Sequence, residues 1–178
     1  DLATPVTVSD LALSGSGSVD LTNGRLVLNN GSAAMVLGWL DAGYDVGFAS
    51  GPIHSSLADS AHGVGWKSDG AITVAYAYYG DINLDGQVDG LDLNLLGSNW
   101  QQPGNWSLGD LNYDGVTDGL DLNLLGSNWQ AGVVAPSSIS FTSAVSAAGF
   151  MSVPEPTSLS VLAMVATGLM RRRRSAAA

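Results

Sequence analysis

Between Thr4 and Asn30, apolar and polar residues alternate in short runs such as Val6-Thr-Val-Ser and Arg25-Leu-Val-Leu, broken by Gly15, Gly17 and the Asn23-Gly24 turn pair. The alternation predicts short strands. Val36, Leu37 and Leu40 then fall at helical spacing in Ala33–Leu40, with Ser32 placed to cap the start, which predicts a short helix. Residues 41–70 lack a period and read as loop. From Ala71 to Tyr79, β-branched and aromatic residues alternate with alanine, the strongest strand signal in the chain, and the run leads directly into an acidic segment at Gly80.

The period changes after that segment. The sequence Gly-Leu-Asp-Leu-Asn-Leu-Leu-Gly-Ser-Asn-Trp-Gln occurs at 90–101 and again at 119–130. Leu93, Leu96 and Trp100, with their copies Leu122, Leu125 and Trp129, form one helical stripe, so each copy predicts a short helix with one apolar face. Two such faces can bury each other. Neither repeat is large enough to hold a core alone, which makes the pair the expected folding unit, closed by the Pro103-Gly104-Asn105-Trp106 connection. Gly97 and Gly126 weaken these helices by about 1 kcal/mol each relative to alanine, leaving packing and metal to hold them. The stripe assigns Trp100 and Trp129 to the core, whereas Trp39 and Trp66 stand in open sequence and are the candidates for stacking on a sugar ring.

Residues 131–152 turn to Ala, Ser, Val and Gly without periodicity and read as a linker. Then come Pro154-Glu155-Pro156, an apolar run from Leu159 to Met170, and Arg171, Arg172, Arg173 and Arg174. The run is short for a membrane span, which takes about 20 residues. The arginine cluster is what a cytoplasmic stop looks like.

Each identical segment is preceded by a loop of one pattern, Asp81 to Asp92 and Asp110 to Asp121, the second displaced by 29 residues. Oxygen-bearing side chains occupy positions 1, 3, 5, 9 and 12: Asp81, Asn83, Asp85, Asp89 and Asp92, then Asp110, Asn112, Asp114, Asp118 and Asp121. Gly86 and Gly115 fill position 6, where the chain must turn sharply, and Gln87 and Val116 offer backbone carbonyls at position 7. A hard cation needs such a crowd of oxygens, and the pattern predicts two Ca2+ ions, with Mg2+ a poor substitute for seven flexible ligands.

Composition sharpens this reading. The net charge of −10 arises from 16 acidic against 6 basic residues, and eight of the acids lie in the two loops. Outside the C-terminal cluster there is no basic face, which argues against a nucleic-acid partner. The absence of cysteine excludes disulfides and thiolate metal sites. His54 and His62, with Ser55, Ser56 and Asp59 nearby, invite a hydrolytic triad, but no serine elbow accompanies them, and the one Glu belongs to the C-terminal motif. The residues describe no enzyme within this chain.

Three resemblances follow from these motifs. Gly80-Asp81-Ile-Asn83-Leu-Asp85-Gly86 with Asp89 and Asp92, and Gly109-Asp110-Leu-Asn112-Tyr-Asp114-Gly115 with Asp118 and Asp121, resemble a type I dockerin. That resemblance implies a non-catalytic, calcium-dependent docking module for a cohesin-like domain. The places that usually carry small hydroxyl and basic contact residues hold Gly90-Leu91, Gly119-Leu120, Gly97-Ser98 and Gly126-Ser127 instead, so calcium carries over better than the partner does. The tail resembles a PEP-CTERM sorting signal. This implies an exosortase-type processing enzyme, transient tethering at the inner membrane and a final place at the cell surface or in the extracellular matrix. More distantly, Asp20–Leu28, Trp39–Tyr44 and Gly51–Ser56 resemble the region preceding such repeats in exported β-rich proteins of planctomycete type.

The expected organisation is a mixed chain. It comprises a β-rich region at 1–79 ending a β-solenoid, a small all-α calcium pair at 80–130, a linker at 131–152 and a sorting tail at 153–174 with a hydrophobic helix. Its expected role is attachment and assembly of an exported protein. The chain reads as the C-terminal piece of something longer. One alternative is the end of an extracellular polysaccharide-acting enzyme whose catalytic domain lies upstream; another is a purely structural calcium-stabilised cap.

Overall fold

The computed structural model describes residues 5–150. Six strands and four α-helices follow in the order β1 (Val6–Val8), β2 (Val19–Asp20), β3 (Arg25–Leu28), α1 (Ala33–Tyr44), β4 (Ile53–His54), β5 (His62–Ser68), β6 (Ile72–Tyr78), α2 (Gly90–Ser98), α3 (Gly119–Ser127) and α4 (Phe141–Ala147). A 3-10 turn spans Trp106–Leu108. The main sheet has the order β1-β3-β6-β5; β1 runs parallel to β3, while β3 and β5 both run antiparallel to β6. A second, two-stranded parallel ladder joins β2 to β4.

This corrects the expected fold class. A solenoid stacks repeating parallel strands, whereas here a tight turn through Asp69, Gly70 (φ +106°) and Ala71 folds β5 and β6 into a hairpin. The architecture is mixed α/β. The calcium-type segment is not all-α either, because α2 and α3 have nine residues each and the rest of it is loop, 3-10 turn and a β-bridge between Pro103 and Val116. Among the described residues no helix is long and apolar enough to cross a membrane. The C-terminal hydrophobic helix and the motifs Pro154–Pro156 and Arg171–Arg174 lie outside the described residues.

Ser32 caps α1 as its position predicts, accepting from the Met35 amide, but the helix continues to Tyr44. The stretch read as loop also contains β4 and β5. β5 escapes the usual alternation because both of its faces are covered. Val64 and Trp66 are buried on one side, while Gly63 and Gly65 on the other lie under the rings of Tyr79 and Trp106. A Cβ on Gly65 would stand 2.5 Å from Trp106 Cε2, so only glycine leaves room for the indole on this face of the strand. Trp66 is 4% exposed, which withdraws it as a sugar-stacking surface.

Trp106, read as part of a connection, is fully buried, and its Nε1 donates to the Asp81 carbonyl at 2.8 Å. Through it the sheet and the repeats share one hydrophobic core. The segment read as a linker carries α4, which lies across both repeats: Phe141 packs on Gly126 and Trp129, and Phe150 on Gly97 and Trp100. The two repeat tryptophans are accordingly half-buried beneath these rings.

Candidate metal centre

The two loops adopt one shape. Position 4 has positive φ in both (Leu84 60°, Tyr113 59°), and Gly86 and Gly115 share a φ of 89°, a region that costs glycine nothing. The loops are also braced reciprocally. Gln130 donates to the Val88 carbonyl and Val88 to that of Ala131, while Gln101 donates to the Thr117 carbonyl and Thr117 to that of Gln102. Each loop is thus tied to the chain leaving the other repeat's helix.

Within the first loop, hereafter loop 1, Asp81 accepts from the amides of Asp85 at 3.0 Å and Gly86 at 2.9 Å, one on each oxygen. Asn83 Oδ1 accepts from the Asp85 amide, and its Nδ2 donates to Asp85 Oδ2. Asp92 reaches back across the loop, accepting from the amides of Ile82, Asn83 and Asp89. Loop 2 repeats these contacts with Asn112, Asp114 and Asp121. Asp89 and Asp118 are placed differently from the rest, as N-caps of α2 and α3 in capping boxes closed by Asp92 and Asp121. The carbonyls of Gln87 and Val116 accept no hydrogen bond among the described residues.

Loop 2 differs at its first residue. Asp110 Oδ2 accepts from the Gly115 amide at 3.1 Å, but Asp110 Oδ1 is buried without a hydrogen-bond partner. Four loop carboxylates, Asp81, Asp92, Asp110 and Asp121, are at most 2% exposed. Among the described residues, neither of the two ion pairs, His62–Asp59 and Lys67–Asp69, includes any of them. Burial therefore pushes their pKa values up, that of Asp81 to about 7, Asp92 to about 6 and Asp110 to about 6, with that of Asp121 raised as well. Nearby carboxylates add to the shift, and the backbone donors offset part of it.

Buried carboxylates without a counter-charge are costly. A carboxylate offers about four acceptor sites, of which Asp81 uses two and Asp110 one, leaving oxygen lone pairs for a hard cation. The residues fit such an ion. The fit depends on mixed oxygen donors, because among the described residues no three Asp, Glu or His side chains gather as a ligating group on their own.

The residues considered for a triad serve the β-region. Ser55 Oγ donates to the Thr22 carbonyl, and His54 Nδ1 lies 3.0 Å from the Gly51 carbonyl. Asp59 pairs instead with His62, whose ring stacks on Tyr76. Sequence reasoning missed the basic residues that touch loop 1. Arg25 Nη2 donates to the Leu84 carbonyl at 2.6 Å, and Lys67 Nζ to that of Asn83 at 3.3 Å. Only their scarcity signalled them, since the remaining basic residues are Arg171–Arg174.

No curated protein and no solved structure matches the chain. Residues 79–128 match the family model described as the Dockerin type I domain. The paired loops, their helices and their reciprocal bracing thus make up a dockerin-like module, of a non-catalytic type that typically binds calcium and serves assembly.

Proposed function

We propose that this chain is a non-catalytic attachment module that takes up two calcium ions and docks an exported protein onto a cohesin-like partner. The observation that carries the metal reading is the pair of buried carboxylate sets that form no ion pair among the described residues, Asp110 Oδ1 above all. Asp81, Asn83, Asp85 and Asp92 with the Gln87 carbonyl would hold one ion, and Asp110, Asn112, Asp114 and Asp121 with the Val116 carbonyl the other. Asp89 and Asp118 would contribute from the helix caps. Bound calcium supplies the divalent charge these carboxylates lack. The remaining contacts orient the donors: backbone amides fix the carboxylates, and capping boxes start the helices.

Because the repeats share a core with the sheet, ion binding is expected to stabilise the β-region as well as the loops. This favours a stabilising role in addition to docking. Calorimetry of the full chain is the test: two calcium equivalents and a calcium-raised melting temperature are expected. No binding, or one equivalent, would remove the paired-site reading. We also propose that Pro154-Glu155-Pro156, the apolar run and Arg171–Arg174 form a sorting signal read by an exosortase-type enzyme at the membrane. Mass spectrometry of the exported product tests that signal, and an unprocessed C-terminus at Ala178 on surface-localised protein would refute it.

A further inference from the structure

We propose that Arg25 and Lys67 raise the calcium concentration at which loop 1 fills, so that loop 2 loads first and loop 1 is the calcium-responsive half. The inference rests on the calcium reading above. It begins from a scarcity of positive charge: of 6 basic residues, four are Arg171–Arg174, and the other two both touch loop 1.

Their placement follows from strand register. Arg25 stands opposite Ala75, itself opposite Gly65, while Lys67 stands opposite Thr73 two residues along, so both side chains leave the sheet face that carries Trp106. They end on consecutive carbonyls, those of Asn83 and Leu84, at positions 3 and 4 of the loop. The corresponding residues of loop 2, Asn112 and Tyr113, have no basic side chain on them among the described residues. Tyr113 instead sends its own hydroxyl to the Val64 carbonyl at 2.6 Å.

Both loops carry four aspartates at the same positions. The charge difference between them is therefore the two cations, which attract the metal-free loop and repel an arriving divalent ion. Lys67 is partly offset by Asp69 at 3.5 Å, which leaves Arg25 the larger share. At the effective dielectric near a protein surface, the repulsion corresponds to a roughly tenfold difference in affinity. Asp110 acts in the same direction. Its unpartnered Oδ1 gains a partner on binding, whereas both oxygens of Asp81 already have one.

The test is a calcium titration of the full chain followed by nitrogen-15 NMR at the Gly86 and Gly115 amides, which share a φ of 89° and so report alike. At low salt, Gly115 is expected to saturate at about tenfold lower calcium than Gly86, with the gap narrowing in high salt. Arg25→Met and Lys67→Met should move the Gly86 midpoint to lower calcium and leave Gly115 unchanged, whereas Arg25→Lys should keep the gap. Coincident midpoints in the native chain overturn the inference alone. So does a weaker loop 1 in the methionine variants, because the hydrogen bonds would then matter more than the repulsion. Absence of any calcium-dependent shift at both glycines overturns the calcium reading and this inference with it.

Discussion

Loops 1 and 2 differ at positions 2, 4, 7 and 8, where Ile82, Leu84, Gln87 and Val88 face Leu111, Tyr113, Val116 and Thr117. Backbone angles, helix caps and reciprocal bracing are the same in both. Their attachments to the sheet are not. Loop 1 is held by the sheet, through Arg25 and Lys67 on its carbonyls. Loop 2 holds the sheet, through the Tyr113 hydroxyl on Val64 and a ring packed against Tyr44, Phe48 and Trp106. The duplicated sequence thus gives both loops one backbone shape and one kind of helix cap, and the unduplicated remainder decides what the sheet places on each loop.

The largest effect should come from the element the two loops share. Trp106 fills the space over Gly65 and ties its ring nitrogen to loop 1, while its face meets Tyr113 of loop 2. Trp106→Ala should therefore lower stability by about 3–5 kcal/mol, as for other large buried aromatic residues. Urea unfolding with calcium present is the measurement. A loss confined to one loop, with the other still binding at its native midpoint, would divide what the common core joins.

A smaller effect separates the loops. β5 is an edge strand, and the Tyr113 hydroxyl occupies the Val64 carbonyl that would otherwise be left unpaired. Tyr113→Phe should cost about 1–2 kcal/mol by leaving that acceptor buried without a donor. Burial raises the pKa of Tyr113 well above its ordinary value and that of Tyr79 to about 12. A raised value means that the folded state holds its proton more tightly than the unfolded chain does. Stability is thus whole below about pH 10 and is lost as the pH climbs from there through 12. Phenolate absorbance should report these tyrosines last, together with unfolding, and Tyr113→Phe should shrink the alkaline loss. Early, unfolding-independent ionisation of all the tyrosines would contradict the burial of this junction.

The same contrast explains what the sequence disclosed. The loops, the helices α2 and α3 that follow them and the strand Ala71–Tyr79 were legible because their causes are local: fixed spacing, a glycine at the turn, alternation along one strand. β5 was not legible, because Gly63 and Gly65 are explained only by rings that arrive from Tyr79 and Trp106. Trp66 looked open for the same reason, its burial depending on distant partners. α4 hid in an alanine- and serine-rich stretch whose signal lies in two phenylalanines that find Gly97 and Gly126. In the candidate metal centre the spacing of oxygen-bearing residues is local and stands in the sequence, whereas Arg25 and Lys67 reach loop 1 from strands that no spacing rule connects to it.

The smallest expected effect is a null difference, and it tests whether the loops are locally equivalent. Asp89 accepts from the Leu91 amide at 2.7 Å and Asp118 from the Leu120 amide at 2.8 Å, each as the N-cap of an identical nine-residue helix. Replacing either by alanine removes one cap and should cost about 1 kcal/mol in chelator, where neither side chain can serve a metal. If local geometry alone governs these ends, Asp89→Ala and Asp118→Ala should agree within error in urea unfolding. A difference of about 1 kcal/mol or more between them would mean that the sheet's hold on loop 1 extends beyond its carbonyls into the start of α2, and the two repeats would no longer be equivalent even at their caps.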